Sequence, residues 1–337
     1  VNNARKEYQR VLEYCEQRRD RLPDYMLRQS RRFWEGFYRD YEALLDVLPA
    51  PVEGKTVVDF GCKYGHLIPL LASRGAREAI GIDVDDEYVA AGQSVFEALY
   101  PNARIIKSEA GRLDLPSEAV DVIIMNEVIS HVNPSYLDRV WSESSRILKA
   151  GGILFISDGN NLANPVARAK LIELYEKWEM GPDGVRTDRD VVTVPFLDRR
   201  RKLIRERHPG LPADKVDYAA LNTSGLFGEQ FERVIDRYVA TGELVLRPYR
   251  SGACPVSPDA TGVLMERAFF PQQLELALVE YGFEARQVVP RQFYGRKGVL
   301  GPAKDLYAWL RHALRALRNP AWYRSAQEGF QIIAVRK

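Results

Sequence analysis

The chain is poor in the residues that would tie it to a metal, a membrane or a disulfide framework. Its 337 residues include three cysteines and four histidines. Cys15, Cys62 and Cys254 lie far apart, in neither a metal-ligand spacing nor an even-numbered disulfide pattern, which points to a reducing, cytoplasmic setting. No apolar run approaches the ~18 residues of a membrane span. The opening VNNARKEYQR starts at Val rather than Met and has no apolar stretch of a secretory signal. An excess of one charge is also missing: 48 Lys+Arg against 46 Asp+Glu leave +2. A dedicated nucleic-acid binder would be far more basic, so a nucleic-acid partner is not expected. Repeats and low-complexity tracts are absent. What is present is globular, with 46% hydrophobic and 28% charged residues. At roughly 150 residues per domain this predicts one large domain with an insertion, or two domains.

Residues 1–50 read as helical, with apolar positions at helical spacing through Val11, Leu12, Tyr14, Cys15 and Phe33 to Leu45. Pro49 and Pro51 end that pattern. Trp34, Phe37, Tyr38 and Tyr41 would serve either as core or as part of a lid. Residues 51–158 alternate short β-branched strands with helices. Strands are expected at 56–60, 78–82, 104–107, 120–125 and 153–157, with Ala150-Gly151-Gly152 ending the helix before the fifth. Such alternation predicts an α/β fold with a doubly wound parallel sheet. Residues 159–267 break the rhythm and form an insertion; its basic run Arg199 to Arg207 would be a solvated helix face or a clamp for an anionic substrate. Residues 268–337 return to the core, with a helix from Pro271, strands near 283–292 and 330–335, and a basic amphipathic helix over 305–318. That helix would pack on its own core or lie weakly on an anionic membrane.

The chemistry concentrates in Val57-Val58-Asp59-Phe60-Gly61-Cys62-Lys63-Tyr64-Gly65, a strand running into Asp-x-Gly-x-x-x-Gly and then a helix. Gly61 permits a tight turn, and the helix start offers free N–H groups. Lys63 breaks the Gly-x-Gly-x-x-Gly dinucleotide pattern. Asp83 ends the second strand ahead of Val84, where an acid can accept from a ribose diol. Ser108-Glu109-Ala110-Gly111 follows the third strand and Asn126-Glu127 the fourth. All four features fall at strand carboxyl ends, the ligand-binding edge of open α/β sheets.

In these motifs, their order and their spacing the chain resembles the class I S-adenosylmethionine-dependent methyltransferases, over residues 55–158 and again near 268–292 and the last strand. The resemblance implies a Rossmann-like seven-stranded sheet with S-adenosylmethionine as cofactor. It implies Asp59, Gly61 and Gly65 on the methionine side, Asp83 with Val84 at the ribose, Glu109 and Ala110 flanking the adenine, and Asn126 contacting the cofactor through its backbone. Lys63 departs from the usual small residue; its side chain would face solvent or pair with the cofactor carboxylate. Asn133-Pro134-Ser135-Tyr136 looks like the motif of nucleic-acid amino-methyltransferases but falls seven residues past Asn126, so it is read as a cap of the next helix.

Methyl transfer to a hydroxyl calls for a proton acceptor, and histidine titrates near working pH. His131 falls just beyond the fourth strand and is either that base or a packing residue. Asp158, after the fifth strand, would orient His131, act as a base, share a divalent cation with Asn160, or close an Asx turn; no metal is expected. The expected activity is O-methylation of a small molecule or carbohydrate, in a chain that could form a homodimer. N- or C-methylation, a lipid-linked substrate and a non-catalytic cofactor-binding scaffold stay open.

Overall fold

A computed structural model describes residues 3–109, 111–181, 185–186, 192–260, 262–288 and 329–337. The apolar runs form a seven-stranded sheet of β1 (Thr56–Phe60), β2 (Glu78–Asp83), β3 (Ala103–Lys107), β4 (Val120–Asn126), β5 (Leu148–Asp158), β6 (Phe283–Val288) and β7 (Phe330–Arg336). The strand order is β3-β2-β1-β4-β5-β7-β6. The first five strands are parallel, and β7 runs antiparallel to both its neighbours. All five residues of β1 are buried, as expected of a strand covered on both faces. The order reverses between β1 and β4, which places the ends of these strands at the topological switch point.

One expectation needs correction. The glycines at 151 and 152 do not end a helix. Helix α6 (Pro134–Ile147) stops before them, and they lie inside β5, where Leu148 pairs with Val120 and Ile153 with Val122. The residues between are extra chain that bulges out of the ladder, and Gly151 takes φ +74° there. The sixth strand is described over Phe283–Val288, and both the remainder of the expected strand, 289–292, and the helix expected over 305–318 lie outside the described residues.

By its internal contacts the chain divides into two units, one of residues 1–128, 135–159 and 270–337, the other of 129–134 and 160–269. In the first, helices α1 (Asn3–Glu16), α2 (Asp24–Arg32) and α3 (Tyr38–Leu45) share a single apolar cluster with the sheet: Tyr8, Met26, Phe33 and Tyr38 pack with Val57, Phe96 and Ile105. His66 is embedded in that seam. Its ring stacks on Phe33 at 5.0 Å, its Nε2 meets the Ser30 hydroxyl at 3.1 Å, and Tyr8 donates to its carbonyl at 2.8 Å. Burial holds the imidazole down to about 3, so it stays neutral.

The second unit is helical. Its helices include α7 (Pro165–Met180), α8 (Phe196–Arg207), α9 (Ala213–Leu221) and α10 (Gly228–Thr241), around a core that contains Leu197, Ile204, Val216, Phe231 and Ile235. The basic run is neither wholly solvated nor a free clamp. Arg200, 1% exposed, donates to Glu179 at 2.7 Å and to the Ala220 carbonyl at 2.8 Å. Arg201 pairs with Asp198 and Asp217, and Arg207 with Asp236 and Glu232.

Candidate functional site

The turn after β1 is built from main-chain bonds. Gly61 and Cys62 both donate to the Ile82 carbonyl, at 2.8 and 3.0 Å, and Gly65 donates to Cys62 at 2.8 Å. Gly61 takes φ +74°, and a Cβ there would come within 2.2 Å of Val128. A side chain at this position is therefore excluded twice, by backbone angle and by space. Lys63, an exposed residue, takes φ +51°, a left-handed conformation that disfavours residues with a Cβ. Its N–H donates to Asp83 at 2.7 Å.

Asp83 also accepts from the N–H groups of Val84 at 2.8 Å and Asp85 at 3.1 Å. These bonds stabilise the carboxylate, yet burial dominates and raises its pKa. Asp59, at the matching end of β1 and 8% exposed, is pushed up to about 7 by burial and by the like charge of Asp83. Among the described residues neither acid has an ion-pair partner. Two buried carboxylates that repel each other form a site suited to a cationic ligand.

Around them, Glu109 is exposed and its carbonyl accepts from Arg112 at 2.9 Å; Ala110 lies outside the described residues. Val84 is 46% exposed. Asn126 ends β4 opposite Ser157 of β5. Glu127, next to it, takes φ +52° and accepts the Gly159 N–H at 3.1 Å, joining the ends of the two strands. Asp158 is 1% exposed, in register with Phe330 of β7.

In the second unit the His131 segment is stitched to residues 262–267. Leu264 donates its N–H to the His131 carbonyl at 3.2 Å, and Arg267 to that of Ser130 at 2.9 Å. His131 Nδ1 lies 2.9 Å from the Leu264 carbonyl oxygen, and the Asn133 amide donates to Gly262 at 3.3 Å. The carboxylate beside the His131 ring is that of Glu266, at 3.8 Å from Nε2. Glu266 accepts from the Asn160 amide at 2.7 Å, its carbonyl accepts from the Tyr175 hydroxyl at 2.6 Å, and its φ is +60°. Such strain in a non-glycine residue persists where surrounding bonds impose it. Glu266, Arg267 and Tyr175 were not legible as site residues, because Glu266 reaches His131, Arg267 reaches Ser130 and Tyr175 reaches Glu266 from distant sequence without a motif.

The sheet order and the acid-bearing loops at its switch point define an α/β fold of the Rossmann-like methyltransferase type. Residues 57–152 match the family model described as a methyltransferase domain. A probable S-adenosylmethionine-dependent methyltransferase of Mycobacterium tuberculosis is 26% identical over 147 residues, 44% of this chain and 51% of the relative. One from Mycolicibacterium smegmatis is 31% identical over 133 residues, 40% of this chain and 48% of that one. The chain spans about half the length of these relatives. A solved S-adenosylmethionine-dependent methyltransferase from Archaeoglobus fulgidus is 14% identical, with a TM-score of 0.44, over 93% of this chain and 100% of its own. Residues 57–152 thus carry a methyltransferase domain, and over it the chain is similar to class I S-adenosylmethionine-dependent methyltransferases. The enzymes of this family use S-adenosylmethionine. The site's chemistry fits that cofactor: buried acids without counter-charges suit its cationic groups and its ribose diol, and Gly61 keeps the turn free of side chain.

Proposed function

We propose that this chain methylates a hydroxyl oxygen of a small molecule or carbohydrate. The observation that carries this reading is the tautomer of His131. A carbonyl oxygen can only accept, so the 2.9 Å contact to Leu264 requires Nδ1 to hold the proton. In the neutral ring the lone pair is then on Nε2, the atom nearest Glu266. An imidazole so fixed can take a hydroxyl proton, and the carboxylate at 3.8 Å stabilises the imidazolium that results.

S-adenosylmethionine, when bound, supplies a methyl group made electrophilic by its sulfonium. Asp59, Gly61, Lys63 and Gly65 are assigned to its methionine side, Asp83 and Val84 to the ribose, Glu109 and Ala110 to the adenine, and Asn126 to a main-chain contact. Asp158, enclosed at the end of β5, enters as a positioning residue. Residues 1–50 and 159–267 are assigned to covering the acceptor. The near-neutral composition supports the absence of a nucleic-acid partner, the few dispersed cysteines support a cytoplasmic setting, and the length of the insertion leaves room for a homodimer contact.

Calorimetric titration with S-adenosylmethionine and S-adenosylhomocysteine, with NAD as control, tests the cofactor half of this reading. Micromolar binding of the sulfur ligands alone is expected, followed by transfer of labelled methyl to hydroxylated acceptors. Transfer to amines or carbon with no transfer to hydroxyls would overturn the oxygen assignment.

A further inference from the structure

Three arginines that lie partly or wholly out of solvent are matched by acids: Arg146 by Glu143, Arg200 by Glu179, and Arg201 by Asp198 and Asp217. Arg267 is not. Its guanidinium lies over the Phe269 ring at 4.8 Å, and its Nη1 is enclosed with no hydrogen-bond partner. Among the described residues no carboxylate stands within ion-pair range of it. Its charged neighbourhood is that of Tyr175 and Cys254, both of which hold their protons, since burial raises each of them. Tyr175 gives its hydroxyl hydrogen to the Glu266 carbonyl, and Cys254 Sγ faces that of Met265 at 3.2 Å. The acid next in sequence, Glu266, is engaged with Asn160 and His131.

A guanidinium withdrawn from water without a counter-charge is costly to the fold. Burial indeed holds its pKa below the ordinary arginine value. Stacking on an aromatic face leaves the edge of the planar fork free, and that edge matches two oxygens of a carboxylate or phosphate. The main chain fixes its place, because the Arg267 N–H is bonded to Ser130, the residue before His131.

We infer that Arg267 binds an anionic oxyacid group, carboxylate or phosphate, on the acceptor whose hydroxyl His131 deprotonates. The role of that ligand as methyl acceptor rests on the function proposed above, whereas the anion site stands without it.

The test is calorimetry on the full chain saturated with S-adenosylhomocysteine, titrated in one arm with benzoate and in the other with inorganic phosphate. At least one anion should bind the wild type, and the arm that binds identifies the group. Arg267→Gln should weaken that binding about tenfold or more, the loss of a charge-assisted fork. Arg267→Lys should retain part of it, and Phe269→Leu should fall between. The melting temperature of Arg267→Gln should equal or exceed that of the wild type, because the enclosed charge is removed and no ion pair is lost with it. Failure of both anions to bind the wild type, or equal binding by Arg267→Gln, would overturn the inference. So would a lowered melting temperature with anion binding intact, which would make Arg267 structural. Failure of S-adenosylhomocysteine to bind the wild type counts against the methyltransferase reading instead, and the anion arms repeated without it still decide Arg267.

Discussion

The main-chain N–H of Lys63 donates to the Asp83 carboxylate at 2.7 Å, so the acid that ends β2 holds the turn that leaves β1. One carboxylate thus shapes the glycine turn and remains available to a ligand. Asp83→Ala should keep its helical and sheet content by circular dichroism. Its affinity for S-adenosylhomocysteine should fall by about two orders of magnitude, the loss of two charge-assisted hydrogen bonds. Unchanged affinity would remove Asp83 from the ribose site.

Lys63 has φ +51°, a conformation that costs a residue with a Cβ roughly 1 kcal/mol. Lys63→Gly should therefore hold stability in urea or raise it by up to ~1 kcal/mol. The same variant decides the role of the side chain. Weaker cofactor binding assigns the ammonium to the cofactor carboxylate, and equal binding leaves it in solvent.

Asp59 sets a pH dependence. Its folded pKa of about 7 lies above the usual 3.8, so between these values the folded state holds a proton that the unfolded state has released. Stability then decreases as pH rises from about 4 to about 7, by a few kcal/mol at most, and is flat above. Asp59→Asn should remove most of that slope in urea denaturation followed across this range. A cationic ligand favours the ionised acid, so S-adenosylmethionine binding at pH 6 should release a proton. Calorimetry in buffers of different ionisation enthalpy measures that release, which should vanish in Asp59→Asn.

For His131 the expected pattern is a split between turnover and binding. His131→Ala should reduce kcat by about 10²- to 10⁴-fold, the usual contribution of a general base, with S-adenosylhomocysteine affinity little changed. Glu266→Gln should lower kcat less. Near wild-type turnover in His131→Ala would make the residue a packing group.

The Glu179–Arg200 pair tests the interior of the helical unit. Both side chains are at most 1% exposed, and Ser224 also donates to Glu179 at 2.9 Å. Glu179→Leu or Arg200→Met alone should cost about 3–5 kcal/mol, because each strands a buried charge. The double variant should recover most of that loss in urea unfolding.

The parallel sheet was legible because strands buried on both faces read as apolar runs, as Val57-Val58 and Ile123-Ile124 do. The turn at Gly61 and the acids at 59 and 83 followed from their spacing. Arg200 was hidden in a run of like charges. The signal was its spacing: it stands four residues after Phe196 and four before Ile204, both buried on the same helix face. Glu266 and Arg267 had no such signal. Glu266 meets His131 and Arg267 meets Ser130 from more than 130 residues away, on segments held together by main-chain bonds that any sequence could make.

Those bonds carry a consequence for modularity. The six residues Ile129–Pro134, which follow β4, are grouped with 160–269 and are tied to 262–267 by four hydrogen bonds. The helical unit is therefore encoded in two separated stretches. Excision of 160–269 alone would leave the Ser130 and His131 carbonyls without their donors, and transplanting that stretch alone would leave the donors without their carbonyls. A chimera between relatives has to exchange both stretches together, and recombination at a single junction would break the unit it was meant to move.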